Sequence, residues 1–253
     1  LMALNLTNYL RRILFHGKPK VDHDTLVILH KKHLQTVPFE NLDIPLGRKI
    51  ELNLEKLERK IVSNLRGGFC YELNGLFYAL LKEIGFEVKM ISARVFGDEK
   101  IGQEFDHMAL VVSLDEDWLV DVGFGDNFLE PIRMELGLKQ KDPGGYFVIK
   151  EHDSTYLRLE ASKDDLAYTP KYLFSLAERQ LEDYAGMCEY HQTSLESSFT
   201  RERKCTLATE TGRVTIRDNN FIQTVDGRIK NRKIANDEEF RQILKEYFQI
   251  EIM

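Results

Sequence analysis

An α+β fold is predicted by three features of this 253-residue sequence. Apolar residues recur at helical spacing through the first third. After Gly85 the spacing becomes that of strands. A meander of short strands and turns, then one amphipathic helix, closes the chain. Hydrophobic residues make up 43% and charged residues 30%, enough apolar side chain for a substantial interior beneath a solvated surface. No repeat, low-complexity tract or linker interrupts the chain, so the helical, β and mixed regions are expected to pack as one body.

The first helix is read from Leu6, Tyr9, Leu10, Ile13 and Leu14, which share one face, and the second from Leu26, Leu29, His30, His33 and Leu34. Val37-Pro38 ends the second, because proline restricts the preceding residue and lacks a donor. A third helix follows Asn53 as cap, with Leu54, Leu57, Ile61 and Leu65 expected inward. A fourth begins near Cys70, carries Leu73, Leu76, Phe77, Leu80 and Ile84, and stops at Gly85.

Strands are expected at 88–96, 108–114, 118–124, 146–149 and 156–160, where β-branched and aromatic residues run between turn residues. Asp115-Glu116-Asp117 reads as a hairpin loop joining two of them. Residues 178–190 look helical. Strands at 205–209, 213–217, 221–225 and 228–234 form the meander, and a last helix over 237–248 turns Phe240, Ile243, Leu244, Tyr247 and Phe248 inward.

Net charge is −6, which argues against nucleic acid or an anionic membrane as partner. Residues 199–233 nevertheless hold nine Lys or Arg against four Asp or Glu, either solvated strand faces or a surface for an anion. Three cysteines, Cys70, Cys188 and Cys205, are too few for a disulfide framework, and no apolar run would span a bilayer; a reducing, cytoplasmic setting is expected. His30 and His33 are expected on a half-exposed helix face rather than in a metal site, and His16, His23, His152 and His191 at the surface. No metal is expected.

Chemistry concentrates on Cys70. Gly67-Gly68 permits a turn closed to other residues and leads into the first turn of a helix, where unpaired N–H groups and the dipole favour a thiolate. Cys188 and Cys205 have no such setting. A thiolate needs a proton acceptor, and the acceptor an orienting group. His107 opens the apolar strand Met108-Ala109-Leu110-Val111-Val112. Asp121 lies in the apolar run Trp118-Leu119-Val120-Asp121-Val122-Gly123-Phe124-Gly125, where a carboxylate needs a partner. A turn centred on Glu116 would set residue 107 against about 125, so His107 and Asp121 are expected near each other across the ladder, with a bulge needed for direct opposition. Cys70, His107 and Asp121 thus form a candidate triad.

The stretch Arg66-Gly67-Gly68-Phe69-Cys70-Tyr71-Glu72-Leu73-Asn74 resembles the RGGxCxExN signature of arylamine N-acetyltransferases, bacterial type. Val37-Pro38-Phe39-Glu40-Asn41-Leu42 resembles the PFEN segment of that family, Asp121-Val122-Gly123-Phe124-Gly125 its third motif, and His107-Met108-Ala109-Leu110-Val111-Val112 its histidine strand. The resemblance implies an N-terminal helical bundle, a central β-barrel and a C-terminal α/β lid, over 1–85, 86–190 and 191–253, with a cysteine-protease-like Cys-His-Asp triad. It implies acetyl transfer from acetyl-CoA, a co-substrate, to arylamines, arylhydrazines or arylhydroxylamines, through a thioester on Cys70 with ping-pong kinetics. Phe39, Phe124 and Gly125 would line the acceptor pocket, and Glu40 and Arg66 would form a supporting ion pair. Arg201, Arg203 and Lys204 are candidates to meet the coenzyme's phosphates.

Two stretches depart from the family pattern: Asp126-Asn127-Phe128-Leu129-Glu130-Pro131 is acidic and without glycine, and Thr193-Ser194-Leu195-Glu196-Ser197-Ser198-Phe199 lacks proline. Coenzyme contacts are expected to differ there. Three function classes remain at this stage. They are the acetyltransferase, another triad acyltransferase (peptidase, transglutaminase-like enzyme or related amide synthase), and a binding scaffold without activity.

Overall fold

The computed structural model describes residues 4–97 and 100–252; residues 1–3, at the head of the expected helical region, and 253, at the end of the expected lid, lie outside them. The helical part comprises α1 (Leu6–Arg12), α2 (His23–Thr36), α3 (Leu54–Glu58), which runs on into a π-helical turn at Arg59–Ser63, and α4 (Cys70–Ile84). Caps set their limits. Asn5, Asp22 and Asn53 each accept a backbone N–H from the first turn, and Gly85 closes α4 in the left-handed region at φ 108°. Leu14, Leu54 and Leu65 do not face inward as their spacing suggested but are exposed: α1 ends at Arg12, before Leu14, Leu54 is the first residue of α3, and the π-turn rotates the face that leads to Leu65.

A short strand, β1 (Phe39–Glu40), separates α2 from α3. The barrel follows α4. Its strands are β2 (Glu87–Val95), β3 (His107–Ser113), β4 (Asp117–Val120), β5 (Ile132–Arg133), β6 (Gln140–Asp142), β7 (Gly145–Glu151), β8 (Leu157–Ser162) and β9 (Thr169–Arg179), in the order β5-β4-β3-β2-β9-β8-β7-β6. The two edges are bridged by one side chain. Gln140 Oε1 accepts the Arg133 N–H at 2.8 Å and Gln140 Nε2 donates to the Arg133 carbonyl at 3.0 Å, so an amide side chain takes the place of a strand partner.

Strand β3 is buried on both faces, which explains its unbroken apolar run. Met108, Leu110 and Val112 pack against the helices; Ala109 and Val111 join Phe128, Phe147, Leu159 and Phe174 inside the barrel. Strand β9, absent from the sequence reading, is the longest and pairs with both β2 and β8. The helix expected over 178–190 is displaced accordingly: Leu181–Tyr184 is one 3₁₀ turn and α5 spans Ala185–Thr193.

A short helix, α6 (Ser198–Arg201), leads into β10 (Lys204–Thr209), β11 (Gly212–Arg217), β12 (Asn220–Val225) and β13 (Arg228–Lys233), and α7 (Asp237–Phe248) closes the chain. This second sheet has the order β1-β10-β11-β12-β13. Phe39 opposes Thr206 and Glu40 opposes Cys205. The helical part therefore donates the edge strand that ties the C-terminal sheet to the start of α4.

Candidate active site

A cavity of about 310 Å³ opens where α4, the barrel and the C-terminal sheet meet. Cys70 reaches it from the first turn of α4, His107 from the first residue of β3, Gly123 and Phe124 from the loop after β4, Phe39 from β1, and Phe199 and Lys204 from the C-terminal part.

The start of α4 is held by close approach. Neither Gly67 nor Gly68 adopts positive φ, contrary to the turn expected from the pair. A Cβ on Gly67 would lie 1.9 Å from the Pro38 carbonyl oxygen, and one on Gly68 would lie 2.6 Å from the Glu72 carboxylate. Space, not left-handed backbone, demands glycine here. The Glu40 N–H donates to the Gly68 carbonyl at 2.9 Å, and Glu72 Oε2 accepts the Phe69 N–H at 3.1 Å, which caps the helix.

Beneath this start runs a buried chain of charge. Arg66 Nε donates to Glu40 Oε1 at 2.9 Å and Arg66 Nη2 to Asp43 Oδ1 at 3.0 Å; Lys60 Nζ lies 2.7 Å from both Asp43 Oδ2 and Glu72 Oε1. Glu40 Oε2 accepts the Leu42 N–H as well. Two cations thus hold three carboxylates, and burial pushes Glu72 up to about 7. The adjacent Asn41 faces the other way: its amide donates to the carbonyls of Phe199 and Glu202 at 3.0 and 2.7 Å, and its oxygen accepts the Lys204 N–H at 2.7 Å.

Opposite Cys70, His107 Nε2 stands 2.8 Å from Asp121 Oδ2, both side chains buried. No bulge is involved. The hairpin pairs Ser113 with Asp117 through Leu110 with Val120, a register two residues tighter than anticipated, and the ladder then stops. The strand expected to reach Phe124 ends at Val120, and Asp121 bends out to accept the Gly123 N–H at 3.0 Å. The loop then lies against α4 so closely that a Cβ on Gly123 would sit 2.8 Å from the Cys70 Cα.

Asn74, one turn beyond Cys70, joins the three elements. Its Nδ2 donates to the Met108 carbonyl at 2.6 Å and to Asp121 Oδ1 at 2.9 Å, while its Oδ1 accepts the Val122 N–H at 2.9 Å. Burial works to raise the Asp121 pKa, but His107, Asn74 and the Gly123 N–H together hold it below the usual carboxylate range.

His30 completes the enclosure, and the half-exposed placement expected for it and His33 is wrong: both are fully buried. The Asp121 N–H donates to His30 Nε2 at 3.2 Å, so Nε2 is unprotonated and Nδ1 carries the hydrogen that bonds the Leu129 carbonyl at 2.9 Å. The ring stacks on Phe128 with centroids 5.5 Å apart, and burial lowers its pKa to about 4. His191 is also buried rather than at the surface. It lines the cavity with Nδ1 3.0 Å from Ser197 Oγ and Nε2 3.3 Å from the Asp106 carbonyl.

The thiol itself behaves differently from the helix-start expectation. Burial pushes Cys70 well up, a backbone hydrogen bond with Met108 pulls it down, and the Asp106 and Asp121 carboxylates raise it further. At this helix start, burial opposes the thiolate that the terminus favours.

Phe124 stands edge-on to His107 at 5.2 Å and packs against Tyr172 at 5.4 Å. Gly125, at φ 89°, brings the loop against Phe39, whose ring neighbours Phe199 and lies under the Lys204 ammonium. Of the three cations expected to face a phosphate, only Lys204 lines this cavity. Arg203 stacks on Phe240 at 3.9 Å, and Arg201 faces an adjoining groove. Among the described residues no cluster of three or more His, Cys, Asp or Glu is arranged to hold a metal ion.

The sequence assigned no role in the site to Asn74, Asn41, His30 or His191. Asn74 could have been found, because it lies four residues after Cys70 on one helix face.

The family model described as N-acetyltransferase matches residues 22–253. The chain belongs to this N-acetyltransferase family. The arylamine N-acetyltransferase of Escherichia coli is 33% identical to it over 96% of this chain and 88% of that protein. The solved arylamine N-acetyltransferase of Mycobacterium smegmatis superposes with a TM-score of 0.91 at 31% identity, over 98% of this chain and 93% of that one. The proansamycin X synthase of Amycolatopsis mediterranei is 30% identical over 96% of both chains. As a member of the N-acetyltransferase family the chain is an acyltransferase with the family's α+β fold.

Proposed function

We propose that this enzyme moves an acetyl group from acetyl-CoA to the nitrogen of an arylamine, arylhydrazine or arylhydroxylamine through a thioester on Cys70. The observation that carries the reading is the 2.8 Å contact of His107 Nε2 with Asp121 Oδ2 on the cavity that Cys70 lines. With Nε2–H committed to Asp121, Nδ1 is the nitrogen left to accept the Cys70 proton. The buried thiol then ionises as one half of a pair with imidazolium, whose charge Asp121 stabilises.

In the first half-reaction the Cys70 thiolate adds to the thioester carbonyl, the C–S bond to the coenzyme breaks, and His107 returns its proton to the departing thiolate. In the second, the neutral amine adds to the acetyl-Cys70 carbonyl. The bond to Cys70 Sγ breaks and His107 takes the proton shed by nitrogen. Thioester exchange is near thermoneutral, so the covalent route divides one transfer into two accessible steps. Amines with low basicity arrive unprotonated, which favours aryl over alkyl acceptors.

Gly125, Phe39 and Phe124 shape the acceptor side, and the Arg66–Glu40 pair keeps the two loops beside Cys70 in register. Three free cysteines and the need for acetyl-CoA suit a cytoplasmic setting. An amide synthase would share these steps and differ in donor and acceptor; the prevalence of arylamine acetyltransferases among the relatives disfavours it. Intact mass after mixing with acetyl-CoA alone should rise by one acetyl, located on Cys70. No adduct with any acyl donor would contradict the mechanism.

A further inference from the structure

The residues just before His107 form a strained turn. Phe105 has φ 65°, a left-handed backbone that a bulky side chain seldom adopts, and only Asp106 separates it from His107. Such a conformation persists where its neighbours fix it. Tyr71, the residue after Cys70, supplies one such contact: its hydroxyl donates to the Phe105 carbonyl at 2.6 Å and lies 3.2 Å from that of Asp106. His191 of α5 supplies another.

The partners of His191 settle what it can do. Asp106 presents only acceptors to Nε2, its carbonyl at 3.3 Å and Oδ1 at 3.4 Å, so Nε2 carries a hydrogen. Ser197 Oγ, 3.0 Å from Nδ1, already accepts the Phe199 N–H that caps α6, and its own hydrogen serves Nδ1. The ring is buried, stacked on Tyr71 and edge-on to Phe199. Both nitrogens are engaged, so His191 is no second base, although it lines the same cavity as Cys70 and His107.

Asp106 lines that cavity too, with Oδ2 3.3 Å from the Val95 nitrogen. Burial is the largest influence raising the Cys70 thiol, and the Asp106 charge adds to it. His107 from β3, Asp121 after β4, Tyr71 on α4 itself, and Tyr184 and Cys188 at α5 are the other titratable groups about Cys70. Glu202, Lys204 and Arg217 stand on the cavity's C-terminal side, and Lys100, Glu196 and Arg201 line the groove beyond His191. We propose that His191 is a positioning residue for the acyl transfer: its Nε2–H holds Asp106 by backbone and carboxylate, which presents His107 to Cys70 and draws the Asp106 charge away from the sulfur. The inference rests on the Cys70–His107 mechanism and adds a residue to it.

The test is the pH dependence of Cys70 alkylation by iodoacetamide, which needs no acetyl-CoA, read beside kcat and KM. A glutamine amide nitrogen falls near the place of Nε2, and an asparagine amide near that of Nδ1. His191→Asn therefore keeps a partner for Ser197 and loses Asp106. Its alkylation inflection should move to higher pH, and kcat should fall about tenfold with little change in KM, the scale of a hydrogen bond to a charged group. His191→Gln should keep the inflection and most of kcat. Asp106→Asn should move the inflection to lower pH, and adding His191→Asn to it should shift it no further. A wild-type inflection in His191→Asn overturns the proposal, as does His191→Gln shifting as far as His191→Asn. A shift that persists in the Asp106→Asn background also overturns it, because the role would then be structural alone. If His191→Asn does not fold, Asp106→Asn decides, and an unchanged inflection there overturns the proposal. A wild-type rate that climbs only above about pH 9 would instead overturn the Cys70–His107 mechanism itself, and this inference with it.

Discussion

The two walls of the cavity are built on different physics. On the wall of Cys70, His107 and Asp121, polar groups are buried and joined in chains: Asn74 and His30 fix the Asp121 loop, and Glu40, Arg66, Asp43, Lys60 and Glu72 fix the start of α4. The opposite wall, from α6 and β10–β11, offers half-exposed groups. Its Arg217–Glu202 pair is open to solvent, and Lys204 meets an aromatic face. A buried network resists displacement because each broken contact leaves a desolvated group; a solvated pair is replaced by water at little cost. In the proposed mechanism, bond-making would thus be set rigidly, while recognition would be left to contacts that can change cheaply.

The contrast would break first at Asp121. Asp121→Asn keeps the shape but removes the charge that holds imidazolium, and turnover should fall by roughly 10³ to 10⁴ with little change in KM, measured by coenzyme release. Arg66→Met leaves Glu40 and Asp43 without their shared cation. The expected loss is about 3–5 kcal/mol in urea unfolding, seen as a lower midpoint with an unchanged slope.

Asn74→Ala strips Asp121 and the Val122 N–H of a partner, which should cost about 1–3 kcal/mol and a larger fraction of kcat than of KM. His30 tests the same wall by pH. Its folded pKa lies near 4, below the ordinary histidine value, so the stability it contributes is complete above about 6.5 and is lost as pH falls toward 4, by about 1.4 kcal/mol per pH unit. An imidazole NMR titration with a midpoint near 6.5 would refute that burial. On the other wall, Glu202→Gln should shift stability by under about 1 kcal/mol, and less at high salt.

What was legible in the sequence follows the same division. Cys70, His107 and Asp121 showed because each is polar or reactive where its local pattern is apolar or helix-initiating. α7 showed because its apolar residues keep helical spacing, and Asn236 caps it in the structure by accepting the Glu239 N–H. β9 did not show, since Thr169-Pro170-Lys171 masks its start, and Glu178 and Arg179 blend into the helical pattern that follows. His30 and His33 were misplaced because the loop that buries His30 comes from residues 121–129, far along the chain. The Glu40–Arg66 pair was visible as a pair. Its extension to Lys60 and Glu72 depends on how α3 and α4 meet, which no local pattern encodes.

In the proposed mechanism Cys70 reacts as half of an ion pair made possible by Asp121, against a burial that pushes the lone thiol up. The pH dependence of Cys70 alkylation by iodoacetamide tests it directly. The rate should already be at its plateau near neutral pH in the wild-type enzyme, with its inflection on the acid side, and should lose that inflection in Asp121→Asn. A wild-type rate that climbs only above about pH 9, as an unassisted buried thiol would give, contradicts it.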